Sequence, residues 1–311
     1  MVMAKTNSTR SILCSGSIAL DTTRTPFKTV ERVLGGAASY FSLSANFFAP
    51  VSVCSVVGGD FPGESWALLA GKNIDLSGVQ QKIDGKTFFY DSTFSFDLYH
   101  RHANKTELNV LGEFEPMVQE KAKKCAFVYL ATMPPEKQLS VLKQASGKKL
   151  AFMDTIELYI QGSRKALLET MAHVDGIILN DAEARMLADD TNLIRCGKKV
   201  QALGPKIVII KKGEHGSLLF YDGHVVPFPA LPLESIIDPT GAGDAFAGGF
   251  VGSLAKQGTI KPTLKELKIA MAYANVMGSL AVEDFSVNRL AGTTFEEIEG
   301  RFKAYCEMLR V

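Results

Sequence analysis

The chain has 311 residues, 46% hydrophobic and 22% charged, with a formal net charge of +1. That size and apolar content fit one large α/β domain with a substantial core, and the near-zero charge argues against nucleic acid as a partner. Nothing approaches the ~20-residue apolar run of a membrane helix, and the first ten residues lack the apolar centre of a secretion signal and read as a loose tail.

Ser11 to Ile18 reads as a buried first strand, with Asp21 just beyond it. A carboxylate past the C-terminal end of a strand in an α/β sheet stands where ligands bind, although Asp21 with Thr22 and Thr23 would also serve as a turn cap. Thr22 to Arg32 is polar and alternating, as in a short edge strand or loop. Gly35-Gly36 then opens a helix running to about Phe48, either as a plain turn or as a place where a ligand meets the backbone closely. Val51 to Val57 is another buried strand, and Asp60 is expected to N-cap a helix over Phe61 to Ala70.

Ile83 to Val110 differs in texture. Aromatic and polar residues alternate roughly, with no helical period, giving two or three strands with turns at Asp84-Gly85 and near Asn104-Lys105. Arg101, His102, Asn104 and Asn109 are polar candidates for one face of this insert, or simply exposed residues. Phe88, Tyr90, Phe94, Phe96 and Tyr99 are assigned to the other, an uncovered aromatic face suited to a homodimer contact.

From Lys124 strands and helices alternate cleanly. Cys125–Ala131, Lys149–Met153, Val174–Leu179 and Lys206–Lys211 are strands, and Pro134–Ala145 and Gln161–Met171 are helices. This rhythm implies right-handed crossovers and a mainly parallel central sheet flanked by helices, the Rossmann-type α/β class. Asp154 ends one strand. Asn180 and Glu183 follow another, spaced either as a capping box or as a site in which Glu183 reaches Mg2+ through water. Lys211, Lys212, Gly213 and Gly216 form a loop that a hairpin turn would also explain. Two short strands span Ser217 to Phe228, and helices cover Lys265–Val282 and Phe295–Leu309. The five cysteines (Cys14, Cys54, Cys125, Cys196, Cys306) are scattered without a CxxC pair, as expected of buried thiols in a reducing cytoplasm.

The densest chemistry lies in Ile236 to Leu254, IIDPTGAGDAFAGGFVGSL. An apolar strand end leads into a turn containing Asp238, Thr240, Gly241, Ala242 and Gly243. Asp244 and a helix of small and apolar residues follow. A glycine turn opening onto a helix is an anion site, because unpaired N–H groups and the helix dipole both favour negative charge. Asp244 beside that anion site is suited to accept a proton from a hydroxyl attacking a phosphoryl group. A dinucleotide-binding reading fits less well, since Phe246 stands where a third glycine belongs.

The string from Asp238 to Phe250 resembles the C-terminal signature of the ribokinase-like (PfkB) family of carbohydrate and nucleoside kinases. The resemblance implies a ribokinase-like domain over residues 1–311, with a small β-sheet lid inserted from approximately 19–35 and 83–112. It implies that Asp21, in Gly16-Ser-Ile-Ala-Leu-Asp21, accepts hydrogen bonds from acceptor hydroxyls, and that Gly35 and Gly36 hinge the lid beside the substrate. It implies that Asn180 and Glu183 manage Mg2+, that Lys211, Gly213 and Gly216 line the nucleotide, and that Asn275 contacts its base or ribose. Asp238 and Thr240 belong to a K+ loop in the family. Two positions depart from the pattern: Tyr40 replaces a common asparagine next to the substrate, and Phe285 stands where the K+ loop carries glycine.

The combined expectation is an ATP-dependent, cytoplasmic kinase acting on a hydroxyl, most simply a primary alcohol, of a sugar. The alternatives are a nucleoside or cyclitol kinase, or a non-catalytic sensor. Asp244 would be the base, the Gly241–Asp244 backbone the anion hole, and Asp21, Tyr40 and Arg101 the substrate contacts. ATP and Mg2+, and K+ through Asp238, are the expected cofactors.

Overall fold

The computed structural model describes residues 8–310, so the expected loose tail lies, over residues 1–7, outside the described residues. Strand β1 (Ile12–Ser15) runs into a hairpin of β2 (Ala19–Arg24) and β3 (Thr29–Gly35), and α1 (Ala37–Ala45) brings the chain back. Next come β4 (Val51–Gly58), α2 (Gly63–Ala70), β5 (Ile74–Lys82), β6 (Phe88–Phe94) and β7 (Arg101–Glu107). The alternating half follows: β8 (Phe127–Leu130), α3 (Pro135–Gln144), β9 (Leu150–Met153), α4 (Glu157–Gly162), α5 (Arg164–Met171) and β10 (Gly176–Asn180). It continues through α6 (Asp181–Ala188), α7 (Leu193–Gln201), β11 (Ile207–Lys211), β12 (Ser217–Tyr221) and β13 (His224–Phe228). Four helices close the chain: α8 (Ala242–Gln257), α9 (Leu264–Ala281), α10 (Asn288–Gly292) and α11 (Phe295–Met308).

Nine strands form the main sheet in the order β13-β12-β11-β10-β9-β8-β1-β4-β5. Pairing is parallel from β11 through β5, and the β12–β13 hairpin adds the antiparallel edge. Strands such as β4, VSVCSVVG, are buried at every residue, which requires cover on both faces. One face packs on α1, α8, α9 and α11 through Phe41, Phe250, Met277 and Ile298; the other packs on α3, α5, α6 and α7 through Leu142, Leu167, Leu187 and Val200. Every parallel strand therefore ends at one edge, and loops from that edge build the site.

The second sheet, β3-β2-β6-β7, is the lid. The polar segment expected as a short edge strand or loop is a hairpin with β2 inside the sheet, because β2 pairs with β3 on one side and β6 on the other. The lid turn falls at Ser95–His100, not at Asn104-Lys105; Asp97 accepts from the backbone N–H of Tyr99 at 2.9 Å and organises it. Asn104 lies within β7 and donates to Asp91 at 2.7 Å and Thr93 at 2.8 Å across the pairing. The helix expected over Gln161–Met171 breaks at Ser163 into α4 and α5. Ile236-Ile237 is not a strand end but a coil, tied by the Ile237 N–H to the Val282 carbonyl at 2.8 Å. Asp60 does not cap α2, whose N-cap is Pro62. It joins lid to body, accepting from the Thr87 N–H at 2.7 Å and hydroxyl at 2.8 Å and pairing with Arg32 at 2.9 Å.

Candidate active site

The starts of α1, α6 and α8 and the ends of β3, β10 and β11 supply the candidate site residues. Gly241 caps α8 with φ +75°, a conformation costly for any residue with a Cβ. The Ala242 N–H donates to the Pro239 carbonyl at 3.2 Å, so of the three expected anion-hole donors the Gly243 and Asp244 N–H groups remain at the start of this 16-residue helix. Lys211, the last residue of β11, lays its ammonium against the Gly243 backbone where a side chain at that position would begin. Cation, helix dipole and amides thus coincide, which is the donor set a phosphate requires.

Asp244 stands in the first turn of α8 with part of its surface open to the cleft. Burial pushes its carboxyl pKa up, and Lys211 and Arg101 pull it back down. Asp21 is buried beside it. Its pKa is raised to about 7, chiefly by burial, against the opposing effects of Arg101 and the Gly36 N–H. Gly35 is obligatory here because a Cβ would collide with the Asp21 carboxylate. Gly36 caps α1 at φ +90°.

The lid presents a mixed face to this cleft. Asp21 and Tyr90 are register partners on β2 and β6, so their side chains share one face, and the Arg101 guanidinium lies 5.2 Å from the Tyr90 ring centroid. The aromatic residues therefore do not form a face of their own. Tyr90 faces the site, Phe94 is buried and Phe88 packs on the core, while Phe96 stays exposed near Phe27. The opposite lid face carries the Arg24–Asp91 ion pair and Asn104 together with Phe89. Of the other polar lid candidates, His102 is exposed and Asn109 donates to the Thr87 carbonyl at 2.9 Å. Tyr99, at the lid turn, spans the cleft instead: its hydroxyl reaches Asp181 at 3.2 Å and its ring abuts Gly213.

Across the cleft, Asn180 and Glu183 form a complete capping box at the start of α6, with bonds of 2.8 and 2.7 Å. Burial raises the Glu183 pKa to about 7, opposed by Lys211. Among the described residues no group of three or more His, Cys, Asp or Glu is arranged to hold a metal. Gly213 and Gly216 adopt φ +55° and +80° in the loop after β11. The Asn275 amide donates to the Met271 carbonyl of its own helix at 2.8 Å, so that group is already engaged.

Asp238 is 1% exposed, and its carboxylate accepts from the Thr240 N–H at 2.9 Å. The Thr240 hydroxyl is buried without a hydrogen-bond partner, the kind of orphan oxygen a monovalent cation satisfies. Phe285 is buried nearby in sequence to Ser286, which takes φ +57°.

From the sequence, Tyr90 and Tyr99 are both assigned to the outer aromatic face, whereas the structure turns Tyr90 to the Asp21 side and brings Tyr99 to Asp181, and Asp154 is given no role. The parity of Tyr90 with Asp21 was the available signal for the first, but it requires the strand pairing.

The sequence matches the pfkB family carbohydrate kinase domain over residues 6–291. It is 33% identical over 251 residues to a cytidine kinase of Thermococcus kodakarensis, covering 78% of this chain and 87% of that one. The fold superposes on the nucleoside kinase of Methanocaldococcus jannaschii with a TM-score of 0.76 at 21% identity, covering 95% of this chain and 98% of the other. It superposes on Arabidopsis thaliana ribokinase complexed with ribose and ATP with a TM-score of 0.76 at 19% identity, covering 94% and 98%.

Proposed function

The chain belongs to the pfkB family of carbohydrate kinases, and on that premise we propose that it is an ATP-dependent nucleoside kinase transferring a phosphoryl group to the primary hydroxyl of the ribose. The observation that carries the choice of acceptor is the Asp21–Tyr90–Arg101 face. A carboxylate accepts from two neighbouring ribose hydroxyls, and an aromatic ring with a guanidinium beside it offers a planar base a stacking platform. The likeness to a cytidine kinase over most of both chains supports the same order, nucleoside ahead of sugar.

In this reading Asp21 fixes the ribose and turns its primary hydroxyl toward Asp244. Asp244 bonds the attacking hydroxyl and takes its proton late, since a carboxylate is a far weaker base than an alkoxide. Lys211 and the N–H groups of Gly243 and Asp244 hold the charge that develops on the transferred group. ATP would supply the phosphoryl group, Asn180 and Glu183 would help to hold its Mg2+, and Gly213 and Gly216 would let the backbone approach the nucleotide. Asp238 and Thr240 would hold K+. The lid excludes water from the transfer.

Incubation with Mg-ATP and single nucleosides, followed by 31P NMR, tests the regiochemistry. The phosphorus signal is expected to couple to the two protons of a methylene group. A phosphate on a ring hydroxyl would overturn it.

A further inference from the structure

One short loop joins the segments that supply opposite halves of the candidate site. It runs from Val282, the C-cap of α9, to Val287, the N-cap of α10. At its start the Val282 carbonyl accepts from the Ile237 N–H at 2.8 Å and the Asp238 N–H at 3.3 Å, which fixes the approach to the Gly241 turn. The next residue is pinned as well: the Glu283 carboxylate accepts from Arg289 and from Arg301, each at 2.8 Å. Phe285 is buried, and the Lys28 ammonium, between β2 and β3, lies 5.6 Å from its ring centroid. Near the loop's end Ser286, 5% exposed, donates its hydroxyl to the Leu34 carbonyl. Leu34 precedes Gly35 in β3 and pairs with Leu20, the neighbour of Asp21.

Ser286 adopts φ +57°, a conformation that glycine takes without steric cost and serine does not. What the strained serine supplies and glycine would lack is the hydroxyl on Leu34. A loop bonded at both ends and held in the middle by two arginines absorbs little displacement of its own. Movement of the lid hinge at Leu34–Gly35 is therefore passed to the Ile237–Gly241 approach, and the reverse. We propose that Ser286 is a positioning residue that ties the lid hinge to the anion turn, so that acceptor and nucleotide each tighten the binding of the other. The choice of the two ligands rests on the nucleoside-kinase reading; the tie between the two segments does not.

Calorimetric titration of the non-hydrolysable analogue AMP-PNP with Mg2+ tests it in the wild type, Ser286→Ala and Ser286→Gly. Each titration is run with and without a saturating nucleoside: cytidine, uridine, adenosine or inosine, whichever the wild type turns over fastest. In the wild type the nucleoside is expected to lower the Kd of the analogue by about 5-fold or more. Both variants lack the hydroxyl, and Ser286→Gly also relieves the backbone. Both are expected to bind each ligand singly as the wild type does and to lose the mutual tightening. Tightening retained in either variant, no tightening in the wild type, or loss of single-ligand binding in both variants would each overturn the proposal. If none of the four nucleosides is phosphorylated, the nucleoside reading fails and the proposed coupling fails with it. A wild type that phosphorylates one of them without tightening leaves the kinase reading standing and removes the coupling alone.

Discussion

The ring of Tyr40 packs directly against the backbone of Gly241, so closely that a Cβ on Gly241 would fall within the ring. Tyr40 is 1% exposed, and burial together with Asp21, Asp238 and Asp244 raises its hydroxyl pKa well above the usual value. An aromatic side chain from α1 thereby braces the turn that forms the anion hole. Gly241→Ala adds a methyl against that ring and strains a backbone at φ +75°. Its kcat is expected to fall about 100-fold or more, the scale of losing an oxyanion donor. Steady-state kinetics with the fold checked by circular dichroism would decide, and near-normal kcat would show that the turn tolerates displacement.

Asp21 gives the acceptor side a pH signature. Its pKa of about 7 reflects burial that penalises the charged form. The ionised carboxylate accepts two hydroxyls and the protonated acid does so poorly, so acceptor KM is expected to fall as pH rises through about 7. Asp21→Asn should raise acceptor KM by about 10-fold or more and abolish its pH dependence. If the variant keeps the wild-type pH profile of KM, another group is responsible.

The lid closes on a named contact. Tyr99 joins the lid turn to Asp181 and Gly213 on the nucleotide side, and Arg101 follows it two residues later. Tyr99→Ala is expected to loosen closure, admit water and increase ATP hydrolysis per acceptor phosphorylated. Tyr99→Phe keeps the ring and should show a smaller effect. Equal coupling ratios in all three proteins would remove the contact from the mechanism.

The proposed monovalent-cation site rests on the orphan Thr240 hydroxyl and buried Asp238. Activity is expected to be several-fold higher in KCl than in choline chloride at equal ionic strength, and Thr240→Val should erase the difference. Identical rates in the two salts would mean that the loop works without an ion.

Much of the site was legible because its parts are local strings. Gly241 to Asp244 and Asn180 to Glu183 each encode their own turn and helix start, and Gly35-Gly36 precedes α1 as the sequence suggests. The family resemblance added the order in which these pieces meet. What could not be read locally depended on pairing between distant segments. Asn104-Lys105 has turn composition, but cross-strand bonds to Asp91 and Thr93 hold Asn104 in β7. Asp60 has the spacing of a cap, yet Thr87 and Arg32 outcompete the helix for it. Tyr90 faces the site because β2 and β6 pair in parallel, which no periodicity within either strand reveals.

The most direct measurement compares kcat/KM for cytidine and other nucleosides with ribose and fructose, under Mg-ATP, in the wild type and in Asp244→Asn. The account predicts that a nucleoside exceeds every sugar by about 10-fold or more and that Asp244→Asn lowers the nucleoside value by about 100-fold or more. A sugar that outperforms every nucleoside, or an Asp244→Asn enzyme with undiminished turnover, would contradict it.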